Sequence, residues 1–192
     1  VAPGSADRER KTLHVTTRAQ WRRWLERHHE TEHEVWLVSY RTHTGRSRIS
    51  YNDAVEEALC FGWIDSNQKG IDEDRVAQRY TPRRRAGGFS EMNKQRVRRL
   101  VAEGKMTPAG LAKIGDALDV EPFTLAPDVE RALRRDRATW RNFEAFPESY
   151  RRVRVAYVEA GRRRPGEFDK RLRHLVAMTE KNKRFGFVKE FR

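Results

Sequence analysis

Between Ala58 and Asn93 the sequence gathers carboxylates, amides, a phenol and arginines beside large aromatics: ALCFGWIDSNQKGIDEDRVAQRYTPRRRAGGFSEMN. A ligand pocket needs that mixture, with apolar area for burial and a few polar groups for orientation. Arg83 and Arg84 follow Tyr80-Thr81-Pro82, and guanidinium forks suit carboxylate or phosphate groups. Ser90 opens a helix whose free backbone N–H groups add an anion-binding terminus. Trp63 supplies apolar surface, and Asp65, Asn67, Lys69 and Tyr80 supply polar groups. Asp65 and Asn67 lie two apart on a strand and should share one face. Asp65 and Tyr80 are the candidate catalytic residues. A carboxyl raised by burial, or by the charge of Asp72 across a hairpin, would serve as a general acid. The plainer reading is a hairpin with solvated charges, in which Asp65 braces the turn.

Other motifs carry less chemistry. His29-Glu30-Thr31-Glu32-His33 has the spacing of a zinc-protease motif, which needs both histidines on one continuous helix. Here it falls at a helix end with charged neighbours, so no metal is expected. Cys60 sits in ALCFGW and reads as a small buried hydrophobe. The phosphate-binding and dinucleotide-binding glycine patterns are absent, and no cofactor is expected. The helix from Ser90 carries Lys94, Arg96, Arg98 and Arg99 away from Val97, Leu100 and Val101. That face offers an alternative reading, in which the helix lies along a nucleic-acid backbone.

The elements that must position these residues follow from pattern. Thr17 with Gln20 makes a capping box, followed by Trp21, Trp24, Leu25 and His28 at helical spacing. Val35 to Tyr40 is an apolar run, the pattern of a strand covered on both faces. Ser50 and Asp53 open a second helix that stops near Gly62. Residues 63–69 and 75–81 read as two strands around an acidic turn. Ser90, Thr107-Pro108, Pro127, Ser149 and Gly166 then mark successive helix starts. Leu111, Ile114 and Leu118 follow the second of these, and Val153, Ala156, Tyr157 and Ala160 follow Ser149.

This is an α+β pattern. A small N-terminal sheet with helices (β-α-β-α-β-β) precedes an all-helical half. The expected layout is a disordered 1–11, an α+β core at 12–85, a helical region at 86–181 packed on that core, and a basic tail at 182–192. The 192 residues carry a net charge of +13, all of the excess lying in the second part. Residues 1–78 hold 12 Lys+Arg against 13 Asp+Glu, and residues 79–192 hold 29 against 15. Such a surface attracts polyanions. No apolar run is long enough to span a bilayer, so no membrane insertion is expected. With no secretory pattern and one cysteine, the chain reads as cytoplasmic.

ALCFGWIDS, the downstream TPRR, SEMNKQRV and GKMTPAG keep their order and spacing, and together they resemble the signature blocks of the YdeI/OmpD-associated family, often labelled bacteriocin-protection proteins. The resemblance runs from about Leu13 to Gly110, and more loosely through the C-terminal helices. It implies an α+β fold and a protective role in stress or antimicrobial resistance rather than a defined reaction. It favours Arg83 and Arg84, and it adds Asn93 and Lys94 to the ligand-binding set. Phe89 stands where the family commonly carries Trp, which puts the pocket wall at 86–89 in doubt. The expected function is binding of a small anionic or polar ligand in a cleft between the 63–85 hairpin and the Ser90 helix. A further alternative is an enzyme that uses Asp65, Tyr80 and Arg83 in that cleft. A chain of +13 is poorly suited to sequestering cationic peptides directly.

Overall fold

Thr17 starts the first helix by a reciprocal bond. Its side chain accepts from Gln20 N, and the Gln20 side chain accepts from the Thr17 backbone. Helix α1 (Arg18–His28) then turns Trp21 and Leu25 fully inward. They cover a sheet built from β1 (Thr12–His14), β2 (Val35–Tyr40), β3 (Trp63–Gly70) and β4 (Arg75–Pro82). The strand order is β1-β2-β4-β3, parallel between β1 and β2 and antiparallel elsewhere. Helix α2 (Tyr51–Cys60) is capped by Ser50, whose side chain accepts from Asp53 N.

Helix α2 is buried from Ala54 to Cys60, including Glu56 and Glu57. Those two carboxylates are held by arginines from neighbouring helices. Glu57 accepts from Arg18 and Arg22, and Glu56 accepts from Arg18 and Arg99. A buried carboxylate persists only where cations and hydrogen bonds replace its water.

The computed structural model describes residues 11–186 and forms two compact units. The first comprises residues 11–88 with Arg96–Leu118, and the second comprises Phe89–Gln95 with residues 119–186. Helix α3 (Glu91–Ala102) therefore contributes to both. Residues 96–118, grouped by sequence with the helical region, cluster with the sheet. Lys11 alone of the N-terminal stretch is described, and its carbonyl accepts from Trp36 N at 2.9 Å. Residues 1–10 and 187–192 lie outside the described part. None of the described helices is long and apolar enough to cross a membrane.

The second unit contains α5 (Pro127–Leu133), α6 (Arg137–Ala145), α7 (Glu148–Glu159) and α8 (Glu167–Glu180). Its core is Val129, Leu133, Phe143, Val155, Val158 and Leu175. Helix α7 starts earlier than its sequence suggests, with Pro147 at the cap and Ser149 inside. Its inward residues are therefore Tyr150, Val153, Arg154, Val155 and Val158. Tyr157 instead lies near the surface beneath the Arg171 guanidinium, 4.2 Å from its ring. Of the expected tail, Phe185 packs against Tyr150 and His174.

Helix α4 (Pro108–Leu111) is a single turn, much shorter than the apolar spacing of Leu111, Ile114 and Leu118 suggests. Gly115, at φ +48°, breaks the helical period, and Leu111 and Leu118 are left exposed. What fixes α4 is the end of α2. Thr107 N and Oγ1 both donate to Cys60 O, at 3.0 and 2.7 Å. Gly110 then passes so close that a Cβ there would stand 2.1 Å from Cys60 O. The backbone oxygen cannot yield as a flexible side chain would. Gly110→Ala should lower stability by about 2–3 kcal/mol. Urea unfolding checks this: the midpoint should fall with an unchanged slope, and a wild-type midpoint would contradict the close approach.

Candidate functional site

Strand β4 lies between β2 and β3, and its alternation sorts the candidate residues onto two faces. Tyr80 pairs with Val35 on one side and Asp65 on the other. These residues face helices α1 and α2. Trp63 joins them there, packed edge-on against Trp24 at 5.8 Å and donating from Nε1 to His29 O. Arg79 and Thr81 point to the opposite face, with Trp36 and Ile64 as their paired residues.

The helix-covered face holds a closed polar cluster. Tyr51 from α2 donates to Asp65 Oδ2 at 2.8 Å. Tyr80 is 1% exposed, and its ring lies 5.3 Å from that of Trp21. Arg96 is likewise 1% exposed and donates to Asn52 Oδ1 at 2.7 Å. Burial, and then the charge of Asp65, push the Tyr51 hydroxyl up to about 12. Burial raises the Tyr80 hydroxyl well above its ordinary value as well. Both phenols remain protonated at neutral pH, so neither supplies a base. The cluster braces α2 and α3 against the hairpin.

The expected pair of Asp65 and Asp72 does not form. Asp72 sits in the hairpin turn, where Oδ1 accepts from the backbone N of Asp74 and of Arg75. Its other oxygen accepts from Arg75 Nε at 2.8 Å, and that bond holds its carboxyl below the usual range. The expected common face of Asp65 and Asn67 is broken by a β-bulge. Register passes from Asp65 opposite Tyr80 to Gln68 opposite Gln78, so Ser66 and Asn67 together stand across from Arg79. Gln68, opposite Gln78, takes over the face of Asp65 but is exposed, and Lys69 turns to the opposite face over the Trp36 ring at 5.4 Å.

That opposite face opens at its 82–88 end into a cavity of about 1050 Å³. Arg79, Arg83, Arg84, Arg85, His33 and Thr81 are among its lining residues. Arg79 is paired with Glu34. Arg83 donates from Nη2 to Gly87 O at 2.6 Å, and burial holds its guanidinium below the ordinary value. Arg84 and Arg85 are exposed and make no ion pair or hydrogen bond with any described residue. The loop that carries them is pinned at Gly87 and Gly88, with φ of +70° and +64°. Gly87 N donates to Lys113 O at 3.1 Å, and Gly88 N donates to Asp116 Oδ1 at 3.3 Å. A Cβ on Gly87 would lie 2.7 Å from Asp116 Oδ1.

Of the expected ligand set, the cavity thus gathers Arg83 and Arg84 and excludes Asp65, Tyr80 and Trp63. The pleat decides this, because Asp65 and Tyr80 share a register pair directed at the helices. Sequence reasoning missed Tyr51, whose phenol reaches Asp65, and the cavity partners Arg79, His33 and Thr81. The period of two across β4 was the available signal for Arg79 and Thr81. His33 was visible in the sequence only through the 29–33 spacing, which pointed to a metal motif and not to this cavity.

Ser90, Asn93 and Lys94 belong to the second unit, where Ser90 Oγ accepts from Asn93 N at 3.4 Å. The basic face expected on α3 is largely engaged internally. Arg96 is buried, Arg98 donates to Ala117 O, and Arg99 pairs with Glu56. Helix α1 ends at His28, so His29 and His33 do not share a helical turn. Cys60 is fully buried, and burial pushes its thiol up to about 11, which keeps it protonated and unreactive.

Comparison with known proteins divides the chain in two. Residues 13–113, more than half of the sequence, match a family described as a domain of unknown function (DUF8412). Residues 122–182 match the family described as Bacteriocin-protection, YdeI or OmpD-Associated. The YdeI/OmpD-associated resemblance thus holds, but for the C-terminal helices. The blocks ALCFGWIDS, TPRR, SEMNKQRV and GKMTPAG lie in the other match, as do Arg83, Arg84, Asn93 and Lys94. No curated protein and no solved structure matches the chain.

The buried phenols make alkaline stability a test of the helix-side cluster. The folded Tyr51 value of about 12 exceeds the unfolded 10.0. The stability it contributes is therefore complete below pH 10.0 and is lost as pH rises through about 12. Tyr51→Phe should flatten that loss, seen as urea midpoints followed from about pH 9 to about pH 12. A slope equal to that of the unaltered protein would contradict the buried phenol.

Proposed function

We propose an anion-binding protective role for this chain, which belongs to the family described as a domain of unknown function (DUF8412) and carries a YdeI/OmpD-associated segment at residues 122–182. The observation that carries the reading is the convergence of four arginines on one cavity. Two of them, Arg84 and Arg85, have no carboxylate among the described residues to answer them. Buried or clustered guanidinium groups repel one another, and an oxyanion between them relieves that repulsion while accepting their forks bidentately. Arg83 adds a second argument. Desolvation disfavours its charge, and a bound anion would offset that.

The ligand class is a small, multiply charged anion such as a phosphate ester or polycarboxylate. The lining is dominated by guanidinium and other polar groups, which fits a strongly hydrated ligand better than an apolar one. His33 and Thr81 supply further polar groups at the wall. The role is binding: the buried tyrosines and Asp65 face away from the cavity, and Cys60 is an inert thiol. Protection against bacteriocins is the description of the family matched at 122–182, and we take it as the physiological setting. The net charge of +13 favours protection through an anionic partner over direct capture of cationic peptides. The free, buried Cys60 accords with action in the reducing cytoplasm.

Calorimetric titration with inorganic pyrophosphate tests this reading. The unaltered protein should bind it, and Arg84→Ala/Arg85→Ala should weaken binding at least tenfold, about 1.4 kcal/mol, with unchanged thermal stability. Binding insensitive to that pair would overturn the cavity. A parallel salt titration with a mixed DNA and RNA pool addresses the nucleic-acid reading. Tight binding at physiological salt with a steep log–log slope would replace the small anion by a polyanion.

A further inference from the structure

The second unit holds a groove with a different chemistry. Helices α5, α6 and α8 enclose a cavity of about 740 Å³, within the range of small-molecule sites. Its floor is apolar: Ala132, Phe168, Leu172 and Val176. Phe168, Leu172 and Val176 are partly buried and pack against the core cluster that includes Val129, Leu133 and Leu175, so the floor is the outer layer of that core. The groove is therefore preformed.

Both lips carry charges of both signs, and they differ in which charges are already engaged. Arg131 stands on α5 and Arg135 in the turn that follows it, and both line the groove. Arg173 faces the same space from α8. None of the three makes an ion pair or hydrogen bond with any described residue. The carboxylates nearest the α5 lip are already engaged. Asp128 is held bidentately by Arg162, both bonds at 2.8 Å, which lowers its carboxyl to about 2. Asp136 caps α6 by accepting from Thr139 N and Oγ1, at 2.7 and 2.8 Å. The remaining acids, Asp169 and Glu180, lie near opposite ends of α8, roughly 16 Å apart along its axis.

We propose that this groove is a binding site for a small anionic amphiphile, an alkyl or aryl carboxylate whose head lies between Arg131 and Arg135 and whose apolar body lies along Phe168, Leu172 and Val176. A guanidinium takes a carboxylate as a fork, the two arginines offer donors from adjoining segments, and desolvation against the apolar floor strengthens those bonds. A cationic head at this end would meet Arg131 and Arg135, whose neighbouring carboxylates Asp128 and Asp136 are already engaged, and a tailless anion would leave the floor uncovered. The site lies wholly within the segment that matches the YdeI/OmpD-associated family, and it is independent of the first unit's cavity.

The test is calorimetric titration of the whole chain with decanoate below its micelle concentration, beside acetate and decyltrimethylammonium. Decanoate should bind saturably at one site, while acetate and the ammonium should not bind detectably. Arg131→Gln/Arg135→Gln places both changes on exposed positions and should retain the melting temperature. It should weaken decanoate at least tenfold. Arg84→Ala/Arg85→Ala should leave decanoate binding unchanged, which separates this site from the cavity of the first unit. The proposal is overturned by absent or unsaturable decanoate binding, by comparable binding of the ammonium, or by wild-type affinity in the Arg131/Arg135 variant.

Discussion

The first unit depends on the pleat of β4. Because that strand is flanked on both sides, each of its residues is committed to one face for its whole width. Tyr80 goes to the helices, and with it go its register partner Asp65 and the core around Trp21 and Trp63. Arg79 and Thr81 go the other way and build the wall of the arginine-lined cavity. One period of two thus separates a buried brace from a binding surface, although both draw on residues that are adjacent in the chain.

Charge follows the same separation. The strong positive balance of the chain does not translate into a uniform basic surface. Arg18, Arg22 and Arg99 neutralise Glu56 and Glu57 inside the first unit, and Arg96 is enclosed beside Asn52. Arg162 answers Asp128 and Glu159 in the second. Among the arginines that meet no carboxylate, Arg84 and Arg85 line the first cavity, and Arg131, Arg135 and Arg173 line the groove. The two sites differ in their surroundings. The first is polar and suits hydrated, multiply charged anions, whereas the second has an apolar floor and suits a single charge on a hydrocarbon body.

Much of the fold was legible from local rules. The Thr17 capping box, the Ser50 cap, the 63–82 hairpin and the Pro-initiated helices all come from neighbours a few residues apart. Helix α4 was overextended because apolar spacing alone cannot register Gly115, where the backbone turns left-handed. The start of helix α7 was placed late because Ser149 is a good cap in isolation, whereas the helix begins at Glu148, directly after Pro147. At the site, Arg83 and Arg84 were legible by type. Asp65 and Tyr80 were legible as a pair but not by face, since composition does not reveal which side of a sheet the helices cover. The bulge at Ser66 and Asn67, and the reach of Tyr51 to Asp65, are tertiary facts with no local signature.

The separation of the two faces can be observed directly in solution. Amide and arginine side-chain resonances of isotope-labelled protein would be followed by NMR during titration with pyrophosphate. Saturable shifts should be confined to His33, Arg79, Thr81 and residues 83–88, with Tyr51, Asp65 and Tyr80 unmoved. Shifts centred on Tyr51, Asp65 and Tyr80, or no saturable shift at the arginines, would contradict that separation.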